Sequence, residues 1–158
     1  MRRSEMEEAA GYGDTQQRAP EWRTEVADHG SVPQSHAEAE RIELTIPARP
    51  EYIAVVRLAA AGVAGRTALS FDDVEDLKIA VSEACTAAIL GGDQQIHVSF
   101  EISPDRLDVQ IAHGRPPVGA PDEEREMGLL LMRCLMDDVR TATEGGKHVT
   151  RMTKRLPG

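Results

Sequence analysis

Residues 96–111 fix the architecture more than any other stretch, because their alternation spells an antiparallel hairpin. Ile96, Val98, Phe100 and Ile102 alternate with polar residues, Ser103, Pro104 and Asp105 form a turn, and Leu107, Val109 and Ile111 resume the alternation. Period two puts these apolar side chains on one face of the pleat. A lone hairpin of this kind is marginal in water, so that face needs a cover. The flanking sequence supplies it.

Upstream, Ile42, Leu44 and Ile46 alternate with Glu43 and Thr45, which predicts a half-buried strand ended by Pro47 and Pro50. A helix is expected over 51–64, with Ile53, Val56, Ala60 and Val63 at helical spacing and Gly65 as its stop. Ser70 is placed to cap a second helix, with Asp72 and Asp73 in the first turn, where the helix dipole favours negative charge. Val74, Leu77, Val81, Ala84, Cys85 and Ala88 form its apolar stripe, and Gly91 and Gly92 close it. Downstream, a loop rich in Pro, Gly and acids runs from Gly114 to about Glu126. A third helix is expected near Met127, turning Leu130, Leu131 and Leu135 inward. Strands over 139–143 and 149–155 flank a turn at Gly145 and Gly146. The order βααββαββ predicts an α/β two-layer sandwich, a mixed and mostly antiparallel sheet with helices on one face.

Composition narrows what such a domain does. With 158 residues there is room for one domain with a core, and with 3% aromatics that core must be aliphatic. The formal net charge of −9 would repel duplex phosphates, which argues against nucleic acid as a partner and for a basic protein. Cys85 and Cys134 both fall in apolar helical patterns, which reads as reduced, intracellular and structural. No run approaches the ~20 apolar residues of a membrane span, and no apolar run follows Arg2 and Arg3, so a cytoplasmic location without membrane contact is expected. Residues 1–40 carry four arginines against nine acids and few bulky apolar groups, which predicts a disordered acidic tail ahead of a domain over 41–157.

Individual residues offer limited chemistry. Glu83 shares a helix face with Ile79 and Ala87 at the edge of the buried stripe. A carboxylate there either reaches water or serves as a general base beside a pocket. Gly114 and Gly128 stand at strand-to-loop and loop-to-helix junctions. They serve either simple turn chemistry or a close backbone approach to phosphates. There is no Walker-type loop and no Gly-x-Ser-x-Gly elbow, and His29, His36, His97, His113 and His148 lack metal-ligand spacing. The basic run Lys147, Arg151, Lys154 and Arg155 is expected on a solvated edge strand.

Residues 81–89, Val-Ser-Glu-Ala-Cys-Thr-Ala-Ala-Ile, resemble the N-box helix of the bacterial anti-sigma factor serine kinases in the GHKL (histidine kinase-like) ATPase superfamily. Residues 128–139, ending Leu-Met-Asp-Asp-Val, resemble the helix after their ATP lid, and residues 145–156 their closing strand pair. The similarity runs collinearly over about 41–156. It implies a histidine kinase-like, Bergerat-type fold. It also implies an anti-sigma regulator that sequesters an alternative sigma factor and is antagonised by a STAS-type anti-anti-sigma protein. Active members use ATP and Mg²⁺ to phosphorylate a Ser on that antagonist, and members are often homodimers. The resemblance places the general base at Glu83 and a partner-binding Arg at Arg57, and it assigns Gly114 and Gly128 to the nucleotide.

The departures argue against catalysis. The Asn that ligates Mg²⁺ is Ala87, and a methyl group cannot ligate a hard cation. In the box Asp-x-Gly-x-Gly, the adenine-reading Asp aligns with Ala112 and the second Gly with Pro116. Glu126 stands where the first Gly of Gly-x-Gly would be, an acid near the phosphates, and Lys147 replaces a Thr of the closing strand. The expectation is therefore an anti-sigma-type binder needing no cofactor, without useful kinase activity. The alternative is an active ATP- and Mg²⁺-dependent serine kinase.

Overall fold

A computed structural model describes residues 39–114 and 122–158, all within the unit Ser35–Gly158. The expected acidic tail, up to residue 38, and part of the expected lid loop, 115–121, lie outside the described residues. The elements are β1 (Glu40–Pro47), a short 3-10 turn (Pro50–Tyr52), α1 (Ile53–Ala64), α2 (Phe71–Leu90), β2 (Gln95–Ile102), β3 (Arg106–His113), α3 (Asp122–Leu135), β4 (Asp138–Glu144) and β5 (Lys147–Arg155). Strand order is β1-β2-β3-β5-β4, and every pairing among the described residues is antiparallel. The three helices cover one face, with α2 in contact with both α1 and α3. The two-layer sandwich read from the sequence is the observed architecture.

The hairpin alternation holds residue by residue. Ile96, Val98, Phe100, Leu107, Val109 and Ile111 are all buried, and Phe100 is the largest fully buried side chain. Against them lie Val56, Ala60, Leu77, Ala80, Val81, Ala84 and Ala88 from α1 and α2. Alanines at four-residue intervals on α2 allow its axis to sit close to the sheet without large side chains in between. The helix starts where expected. Ser70 Oγ accepts from the Asp73 backbone N–H at 3.1 Å, and Asp73 returns a carboxylate oxygen to the Ser70 N–H at 3.2 Å, a reciprocal capping box.

Two expectations need correction. Helix α3 begins at Asp122 rather than near Met127, and its buried contacts are Leu129, Met132 and Leu135, with Met136 just beyond its end. Leu130 and Leu131 face outward, at 56% and 36% exposure. Apolar residues crowd 127–136 so densely that no single face stands out; the 3.6-residue period leading to Met136 selects 129 and 132. Cys134 is likewise exposed, whereas Cys85 is buried and its thiol is pushed up to about 12 by desolvation. Second, β5 is not an edge strand, since it lies between β3 and β4. Its Lys154 is buried, not solvated. The ammonium donates to the Leu135 carbonyl at 2.9 Å and pairs with Asp73 at 2.9 Å and Asp76 at 3.5 Å. One cation thus ties the start of α2 and the end of α3 to the sheet.

Candidate functional site

Helices α2 and α3 meet along a narrow cleft. Glu83, Ala87 and Leu90 line it from α2, and Glu124, Arg125, Gly128 and Met132 from α3. Glu83 and Ala87 stand one turn apart on the same helix face, as their spacing required. Gly128 sits opposite, where an added Cβ would come 3.4 Å from Glu83 Oε2. The structure therefore brings together Glu83, Ala87 and Gly128 of the expected site. The cleft measures about 50 Å³. That is room for a few waters, whereas pockets for drug-sized ligands run to roughly 300–1,000 Å³.

The other expected site residues lie elsewhere. Glu126 is exposed on α3 and does not line the cleft; the acid that does is Glu124. Gly114 follows the end of β3, and a Cβ there would approach Asp93 Oδ1 to 3.0 Å. Ala112 pairs in register with His97 and Val149, and its side lines a shallow groove with Thr45, His97 and Gln110 on the face of the sheet away from the helices. By the alternation of the strand, the side chain at 112 takes the face opposite to Ile111 and Val109. The residue at the end of β3 with the inward parity of Val109 and Ile111 is His113. Arg57 is half-buried on α1 and makes no ion pair among the described residues, beside Val55 and Leu58, exposed at 43% and 74%.

His113 belongs to a polar cluster that the sequence reading passed over. Its imidazole is 2% exposed and its Nδ1 lies 2.6 Å from Asp93 Oδ2, itself 8% exposed. His148, its register partner on β5, stacks at a tilt with ring centroids 5.0 Å apart. Desolvation first, then the nearby His113 and Arg125, hold the His148 imidazole below its usual range. The groups are coupled in space, yet no cluster among the described residues has the donors to hold a metal. The signal was present in the sequence: the inward parity of β3 passes from Ile111 to His113, and that of a central β5 reaches His148.

The cleft residues do not offer Mg²⁺ the amide ligand that the resemblance implies. A hard cation needs oxygen ligands. Where the resemblance puts its amide ligand, the cleft presents the methyl of Ala87, and the acid Glu124 stands nearby. Of the residues that the resemblance assigns to the site, Glu83 supplies a carboxylate at the cleft.

Comparison with known proteins agrees with the architecture. The histidine kinase-like ATPase domain family matches over residues 46–154. The serine-protein kinase RsbW of Bacillus cereus (strain AH187) is 38% identical over 138 residues, covering 74% of this chain and 86% of that protein. Its counterpart in Bacillus subtilis (strain 168) is 35% identical over 142 residues, covering 76% and 88%. A solved structure of the RsbU and RsbW domains of Rv1364c from Mycobacterium tuberculosis superposes with a TM-score of 0.60 at 17% identity. It covers 74% of this chain, which spans about a third (32%) of that one. This chain therefore belongs to the histidine kinase-like ATPase domain family, in the branch that holds the RsbW serine-protein kinases.

Proposed function

We propose that this chain regulates transcription by binding proteins rather than by transferring phosphate. It sequesters an alternative sigma factor, and a STAS-type anti-anti-sigma protein releases that factor by competing for the same surface. The observation that carries the reading is Ala87, which faces the α2–α3 cleft one turn from Glu83 and leaves the cation without its amide ligand. Phosphoryl transfer depends on a metal to neutralise charge between phosphates, and an acid at the cleft adds repulsion. The binding surface is the outer side of α1, where Arg57 stands beside exposed Val55 and Leu58. An apolar patch with one central Arg suits recognition of an acidic or mixed partner.

Glu83 favours the competing kinase reading, because it keeps a carboxylate where a general base would be. Calorimetric titration with Mg-ATP decides between the two, together with a phosphate-transfer assay on a STAS-domain partner. The binder reading expects no affinity below about millimolar and no phosphoserine. Micromolar binding with transfer, abolished in Glu83→Gln, would establish the kinase. The surface is tested separately: Arg57→Glu should weaken both protein complexes, and retention of either rejects a shared site.

A further inference from the structure

The two layers of the sandwich present different chemistry to solvent. Every large apolar side chain that stands exposed among the described residues lies on a helix. Charge divides the same way: α1, α2 and α3 hold nine acids against four bases, whereas the five strands hold six against seven. The apolar part of this layer is densest on α3. Met127, Leu130 and Leu131 are exposed at 65%, 56% and 36%, and their spacing of three and four residues aligns them along one side of the helix. The buried contacts of the same helix, Leu129 and Met132, take the other side. An exposed run of large apolar groups costs solubility and marks a contact surface more often than chance.

The charges around the stripe select its occupant. Glu126, exposed, borders it on the flank away from α2. Glu124 borders the flank toward α2, with Glu83 across the cleft. Glu123, exposed one turn before Met127, stands at its head, and Arg133 at its far end. An apolar seam with an acid on each side is the complement of a helix whose own apolar seam is bordered by lysine or arginine. Flanking charges choose helix partners in this way in coiled coils. The net charge of −9 also draws such a helix from a distance. We propose that α3 is a docking surface for a basic amphipathic helix of a partner protein. The partner sets its apolar side on Met127, Leu130 and Leu131 and its cations over Glu124 and Glu126. This inference rests on the reading of the chain as a protein binder, and adds to the Arg57 surface on α1 a second one with a stated partner chemistry.

A labelled synthetic peptide of about three heptads tests it, with leucine at the a and d positions and lysine at e and g. Anisotropy titration with the full chain under reducing conditions should show saturable binding at roughly tens of micromolar in low salt, weakened severalfold at about 0.5 M salt. The same peptide with glutamate for lysine should bind at least about tenfold more weakly. Leu130→Lys with Leu131→Lys should remove binding and leave the thermal melt within about a degree or two, since neither side chain is buried. Glu124→Lys with Glu126→Lys should weaken binding about tenfold, whereas Glu43→Lys with Glu101→Lys, the same charge change on the outer face of the sheet, should leave it within about twofold. Equal affinity for the two peptides, indifference to the leucine pair, equal losses from the two charge reversals, or no binding up to several hundred micromolar overturns the proposal. So does a second copy already seated on the stripe, seen in sedimentation velocity as a dimer that the lysine pair dissolves. The peptide assay uses no sigma factor. Its failure leaves the Arg57 surface standing, whereas peptide capture without any sigma-factor complex would reject sequestration and keep this surface.

Discussion

The inner face of β5 carries a polar group near each end, Lys154 buried and His148 half-buried, and the two ends are built on opposite principles. At one end Lys154 is held by Asp73, Asp76 and the Leu135 carbonyl. Desolvation alone would lower its pKa, but the hydrogen bond and charge of Asp73, with the charges of Asp76 and Asp137, outweigh it and the pKa rises. At the other end His148 sits against His113 and near Arg125, and burial with these neighbours favours the neutral ring. The lysine end uses a charge as a fixed tie between α2, α3 and the sheet. The histidine end, beside the buried Asp93–His113 pair, keeps in His148 an imidazole whose protonation the fold opposes. A fold can thus commit one end of a strand to rigidity and leave proton-sensitive groups at the other.

Breaking the lysine end should have the largest effect. Lys154→Met removes the cation, keeps most of the volume, and strands the Leu135 carbonyl beside two carboxylates. Loss of one partner from a buried pair costs about 3–5 kcal/mol. Because Asp73 is a third exposed, at 34%, about 2 kcal/mol is expected here after solvent screening. Chemical denaturation should show a lower midpoint with an unchanged slope. A loss under about 0.5 kcal/mol would mean the tie contributes little and the contrast between the ends fails. At the other end, Asp93→Asn replaces a carboxylate bonded to His113 by a neutral amide. About 1 kcal/mol of stability should go, the usual difference between a charge-assisted and a neutral hydrogen bond.

The pH dependence separates the ends without mutation. The folded pKa of His148 lies below its ordinary 6.5. The unfolded chain therefore binds the proton more readily, and the contribution of the neutral ring is full above about 6.5 and fades as pH falls through the folded value. Asp73 is lowered from 3.8, chiefly by the Ser70 hydroxyl and next by Lys154, so its contribution survives mild acid and fades only below that value. Lys154, raised above 10.5, holds its share below that pH and loses it as pH climbs through the folded value. Stability measured from pH 8 to pH 3 should fall in two stages. His148→Gln should flatten the first stage, which sets in below 6.5, and leave the second. A first stage unchanged in that variant would remove His148 from the account.

Much of this architecture was legible because period two and the helical period leave different marks. The hairpin at β2 and β3 and the Ser70 cap follow directly from residue spacing and side-chain chemistry. Strand order was less accessible: nothing local says that β5 inserts between β3 and β4, so Lys154 read as an edge cation although its register makes it an interior one. Helix α3 was ambiguous for a different reason, an apolar run dense enough to offer several possible faces. The site was half legible. Glu83 and Ala87 follow from a four-residue interval on a helix, which geometry guarantees. The acid at the cleft was missed by two residues, because the helix begins earlier than its glycine implied and turns Glu124, not Glu126, toward α2.

The smallest expected effect is the most informative about the cleft. Motif alignment puts the lost adenine-reading carboxylate at Ala112, so Ala112→Asp would be the obvious repair. The pleat says otherwise, since 112 faces away from the helices beside His97 and Thr45. Ala112→Asp should therefore change nucleotide affinity by less than twofold, whether alone or with Ala87→Asn. An acid of the right parity belongs at 113, where it would meet the buried carboxylate of Asp93. Two carboxylates that close cannot both ionise in a desolvated site, so His113→Asp alone should destabilise the fold, more at pH 8 than at pH 5. Paired with Asp93→Asn it should be better tolerated. A gain of nucleotide affinity in Ala112→Asp would show that β3 twists or slips near its end, and that side-chain parity fails where the strand gives way to the lid.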